Sequence, residues 1–103
     1  MVTSIRSHDR RMIALRRANE VRIARARLKR DLREGNVRIE QILAEPPEQV
    51  STAQVLDLLL AVPKIGPVKA ARLLNTARVG QSKTVGGLTD RQRGHLIELL
   101  AHA

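Results

Sequence analysis

The chain of 103 residues carries 19 Lys and Arg against 10 Asp and Glu, a formal net charge of +9, and has no Cys, Phe, Tyr or Trp. That length fits one domain with an extension, and the missing Cys excludes disulfides, thiolate metal sites and a cysteine nucleophile, consistent with a reducing, cytosolic setting. No window approaches the roughly 18 to 20 apolar residues of a membrane span and no secretory apolar stretch follows the first basic residues, whereas a cation surplus dominated by 15 Arg suits a polyanionic partner, nucleic acid first.

The charge is uneven. Residues 1–34 hold 11 Lys and Arg against 4 Asp and Glu, and the rest hold 8 against 6. This divides the chain into a basic extension, 1–35, and a milder body, 36–103. In the extension Ala14, Ala18, Val21, Ala24, Leu28 and Leu32 recur every three or four residues, which predicts one long helix with a single apolar stripe. Gly35-Asn36 should end it near Arg33, since both residues tolerate the left-handed conformation. Met1 to Ser7 lack periodicity and are expected to fray.

Val37 to Ala44, with Ile39, Ile42 and Leu43 on one side, predicts a short second helix cut off by Pro46-Pro47. Ser51-Thr52-Ala53-Gln54 has capping-box form and predicts the start of a third helix, which Pro63 closes at Val62. Gly66-Pro67 restarts the chain as a fourth helix with Ala70, Leu73, Leu74 and Ala77 on its buried side. Gly80, Gly86 and Gly87 mark a loop holding Lys83. Thr89-Asp90-Arg91-Gln92 is a second capping box, ahead of a fifth helix through Leu96, Leu99 and Leu100. The fold class expected is all-α, a long basic helix packed on a small four-helix body.

The stretch from Leu58 to Leu74, LLLAVPKIGPVKAARLL, places a tight turn between two apolar helices. The start of the second helix offers unpaired amides and the positive end of its dipole. Gly66 admits a phosphate close to the backbone, and Lys64, Lys69 and Arg72 surround it with charges that neutralise phosphate without reading a base. Ile65 and Val68 are expected to turn inward and lock the turn. An ordinary helix-helix corner has the same Gly and Pro; the cations around this one favour binding. For the extension, a solvated charged face and a phosphate-binding face are equally good readings.

The same segment resembles the helix-hairpin-helix and helix-two-turns-helix elements of DNA-binding proteins. With the basic helix ending Leu28-Lys29-Arg30, the Gly-Asn break, the Ile42-Leu43 helix and the final Gly87-Leu88-Thr89-Asp90-Arg91-Gln92-Arg93, the chain over roughly residues 20 to 101 resembles the actinobacterial integration host factor family. The resemblance implies a monomeric, helical nucleoid protein that binds and bends duplex DNA with little sequence preference, without cofactors, and assists phage integration beside an integrase complex. It places the turn and the following helix of the family at Lys64, Ile65, Gly66, Pro67, Val68, Lys69 and Arg72. The family's basic cluster RRxRGLG reads here Lys83-Thr84-Val85-Gly86-Gly87-Leu88-Thr89, keeping only the first cation, so Lys83 with Arg91 and Arg93 is the second contact expected.

Other classes fit less well. His8, His95 and His102 have no partners at metal-ligand spacing. Glycosylases that use such a hairpin need a larger domain and a base pocket. The arm lacks the aromatic anchors of a membrane-surface helix, and without aromatics there is no stacking platform for single strands. Duplex DNA leads, and structured RNA, including a ribosome-associated role, is the alternative, because backbone contact alone does not test for the 2′-hydroxyl.

Overall fold

A computed structural model describes the backbone of residues 2–102 and the side chains from Arg10 to His102; Met1, Ala103 and the side chains of residues 2–9, His8 included, lie outside it. Five α-helices and one 3-10 turn follow in order: α1 Val2–Glu34, α2 Ile39–Ala44, the turn Glu48–Val50, α3 Val55–Ala61, α4 Pro67–Thr76 and α5 Asp90–Ala101. The fold is all-α, as the periodicity predicts.

Helix α1 ends as Gly35-Asn36 requires. Gly35 takes a φ of 76°, and the Asn36 and Gly35 amides donate back to the Asp31 and Leu32 carbonyls at 2.9 and 3.3 Å, a Schellman closure. Two expectations about α1 need correction. Its backbone is already helical at Val2, so residues 2–7 do not fray. Its stripe does not pack along its whole length: Leu28 and Leu32 are buried, Val21 and Ala24 half-buried, and Ala14 and Ala18 exposed. The body is too small to reach them. Below Val21 the helix rests on α3 and the 3-10 turn, with the Arg25 guanidinium donating to the Thr52 hydroxyl and Lys29 paired with Asp57 at 2.5 Å.

The core is aliphatic throughout, Leu43, Val55, Leu58, Leu59, Leu74, Val85 and Leu96 being essentially sealed. Each such side chain contributes about 1.5–3 kcal/mol on burial. Residues 51–54 are a second correction. They form no capping box: Gln54 precedes α3 without a side-chain cap, and the Ser51 hydroxyl turns back to the Glu48 carbonyl. Tertiary pairing overrides the local pattern, because this segment runs antiparallel to the 83–86 loop. Val55 N–H donates to Lys83 C=O (3.0 Å), Val85 N–H to Ala53 C=O (2.9 Å) and Gly86 N–H to Ser51 C=O (2.7 Å). The second capping box forms in full, Thr89 and Gln92 exchanging backbone and side-chain bonds at 3.1 Å each.

Candidate nucleic-acid interface

Between α3 and α4 the chain turns at Val62-Pro63-Lys64-Ile65, closed by Ile65 N–H donating to Val62 C=O at 3.2 Å. Pro63 sets the first corner and Lys64 takes the second with φ 74°. This is a type II arrangement whose second corner ordinarily favours Gly. Lys64 is thereby held out from the surface and exposed. Gly66 follows in extended conformation (φ −88°, ψ 179°), and Pro67 opens α4 at the position where an amide is not missed.

The first bond within α4 runs from Ala70 N–H to Gly66 C=O at 2.9 Å. The Val68 and Lys69 amides lie ahead of it and, among the described residues, meet no carbonyl. A Cβ added at Gly66 would meet nothing within 4 Å. Neither backbone conformation nor internal packing therefore requires Gly here, and the open space lies in front of those amides.

Around them stand Lys64 and Arg72, exposed, and Lys69, half-buried. Ile65 turns inward as expected, only 9% exposed. Val68 does not: it is 72% exposed. Helical periodicity explains the correction, since α4 buries Ala70, Leu73, Leu74 and Ala77, and position 68 falls with Arg72 on the opposite side. The surface beside the turn is a groove running from Gly66 past Arg72 to Thr76, with Leu99 of α5 as its far wall.

The loop and α5 bring up further cations. Lys83 sits beside Val55 at the start of α3, and the turn follows the end of α3, so the two are about one α3 length, roughly 10 Å, apart. Arg91 is exposed on the first turn of α5. Across a groove from it stands Arg78, which the sequence reading missed. Arg78 closes α4 in the left-handed region (φ 58°), with Val79 N–H donating to Leu74 C=O at 2.8 Å, a stop that carries no Gly to announce it. The guanidinium of Arg93 is turned inward, donating to the carbonyls of Leu43 (2.5 Å) and Val85 (3.2 Å). The missing cations of the loop also have a structural reason. Position 85 is buried, and at position 86 a Cβ would stand 3.0 Å from the Ser51 carbonyl. This register leaves no room there for side chains that reach solvent.

Residues 32–100, the body and the last turns of α1, match the family described as S13-like H2TH domain. The chain is thus a helix-two-turns-helix protein. It is 38% identical over 92 residues to integration host factor of Mycolicibacterium smegmatis, covering 87% of this chain and 88% of the relative. It is 37% identical over 97 residues to integration host factor of Mycobacterium tuberculosis, covering 92% of each. The chain belongs to this integration host factor family. Its fold matches a solved structure of sIHF bound to an 8-base-pair palindromic DNA with a TM-score of 0.73 at 22% identity, covering 81% of this chain and 96% of that one.

Proposed function

We propose that the protein binds duplex DNA through its phosphate backbone, with the Val62–Arg72 turn as the primary grip and little dependence on base sequence. The observation that carries this is the conjunction at Gly66: unmet amides, open space where a Cβ would be, and three cations around it. Backbone amides and a helix dipole fix one phosphate, while Lys64, Lys69 and Arg72 neutralise its neighbours. Exposed Val68 and Pro67 would then face the sugar edge of a minor groove. Lys83, Arg91 and Arg78 form the second set of contacts, and holding one duplex at both sets favours a bend. Arg93 acts in this reading as a strut that positions Arg91 and the loop, and Ile65 anchors the turn from inside. Kinship with proteins named integration host factor, and a fold shared with a DNA-bound structure, support the reading and suggest a nucleoid role, with assistance to recombination as its finer form.

The test is a gel-shift competition among random duplex DNA, single-stranded DNA and duplex RNA at two salt concentrations. Duplex DNA should win, with similar affinity for unrelated sequences and a steep loss with salt. Lys64→Ala with Lys69→Ala should weaken all duplexes alike and flatten the salt slope by about two units. Preference for RNA duplex would move the reading to structured RNA, and salt-insensitive binding would sink it.

A further inference from the structure

Helix α1 is longer than its packing on the body requires. Every residue from Arg10 to Glu20 is exposed, so about three turns stand in solvent without tertiary support. Helices of this kind are marginal in water, and Arg10, Arg11, Arg16 and Arg17 repel one another with only Glu20 among them. A partner that neutralises them would hold the helix.

The charges are also ordered. Arg11, Arg22 and Arg33 are spaced by 11 residues, close to three whole turns, so they form one line along the rod, with Lys29 in the same line. At about 1.5 Å per residue the line spans roughly 33 Å, against about 34–36 Å for one turn of duplex DNA. Beside it runs a shallow groove walled by Arg17, Arg22, Arg25, Lys29 and Arg33, with no carboxylate in its lining. Lys29 with Asp57 is the one ion pair among the described residues, and Arg11, Arg22 and Arg33 are all exposed. This flank and the hairpin belong to different sides of the molecule, because α1 rests on α3 and the 3-10 turn while α4 packs on α3 and α5.

From this charge line we infer that the flank of α1 is a second duplex-binding surface, and that one molecule holds two DNA segments, one on α1 and one on the hairpin. The first half stands on α1 alone; the bridging half rests on the hairpin reading proposed above. The partner is DNA rather than an acidic protein because the cations repeat over the length of a duplex turn instead of clustering.

Arg11→Gln, Arg22→Gln and Arg33→Gln together keep helix propensity and touch no packed residue, so far-UV circular dichroism and thermal melting should match the unaltered chain. The full chain, bound to a bead-immobilised duplex, should capture a second, fluorescent duplex, and the triple variant should capture at least about tenfold less while still binding the first. In the Lys64→Ala, Lys69→Ala background, residual duplex binding should lose about two to three units of salt slope when the three Gln are added. Unchanged capture and unchanged residual binding in the triple variant would overturn the α1 surface. If Lys64→Ala with Lys69→Ala binds like the unaltered chain, the hairpin reading fails and bridging with it, while the α1 surface stands or falls by its own salt slope.

Discussion

Lys64 is a lysine held where a glycine is the ordinary choice, and its φ of 74° is a backbone cost of about 1–2 kcal/mol for an L-residue. Set against the larger unfolded-state entropy of Gly, Lys64→Gly should raise stability by about 0.5–1 kcal/mol, read as an upward shift in melting temperature, while duplex affinity falls. A site built only as a corner would gain stability and lose nothing. Gly66 and Gly86 part in the same way. Gly66→Ala fills open space, so melting should move by less than about 0.5 kcal/mol, yet duplex affinity should drop by about tenfold as the new methyl stands before the amides. Gly86→Ala presses on the Ser51 carbonyl and should destabilise the loop. Arg93→Ala leaves the Leu43 and Val85 carbonyls without their donor. It should cost about 2–3 kcal/mol in denaturant unfolding with the salt slope of DNA binding unchanged, the reverse of the pattern for Lys69→Ala.

At the scale of elements, α5 behaves as an independent local program and α3 does not. The Thr89 and Gln92 box closes within four residues, so its residues suffice to specify it, and Thr89→Ala should lose about 1 kcal/mol in thermal unfolding. Ser51 to Gln54 carry a similar pattern, but their backbone is paired with residues 83–86, which local spacing cannot show. Helix α1 divides at Val21. Leu28 and Leu32 dock it, and Leu32→Ala should cost about 2–4 kcal/mol and loosen the whole extension from the body. Hydrogen exchange should report the same boundary: amides of residues 12–20 exchange fast in low salt, those of 24–34 slowly, and duplex DNA slows the first group.

For the whole molecule, cationic groups lie on two sides of one small aliphatic core, the hairpin side built from α3, α4 and the start of α5, the other from α1. The net charge of +9 thereby becomes two oriented surfaces. A body without aromatics holds duplex by the backbone, and its affinity should follow counterion release more than base identity.

The sequence by itself determined five helices in order, the ends of α1 and α3, the box opening α5 and the cations of the hairpin, because these depend on residues within a turn or two of one another. The family resemblance also was legible there, in Lys64 to Arg72 and the Gly87 to Arg93 stretch. Only the tertiary structure decided that Val68 faces out while Ile65 faces in, since that follows from which side of α4 meets α3 and α5. It alone showed Arg93 turned to carbonyls 50 and 8 residues away, Arg78 joining Arg91, and the 84–86 positions consumed by Ser51 to Val55. Those outcomes are set by long-range partners for backbone groups and by how far a small core can reach along a long helix, and neither is written in local spacing.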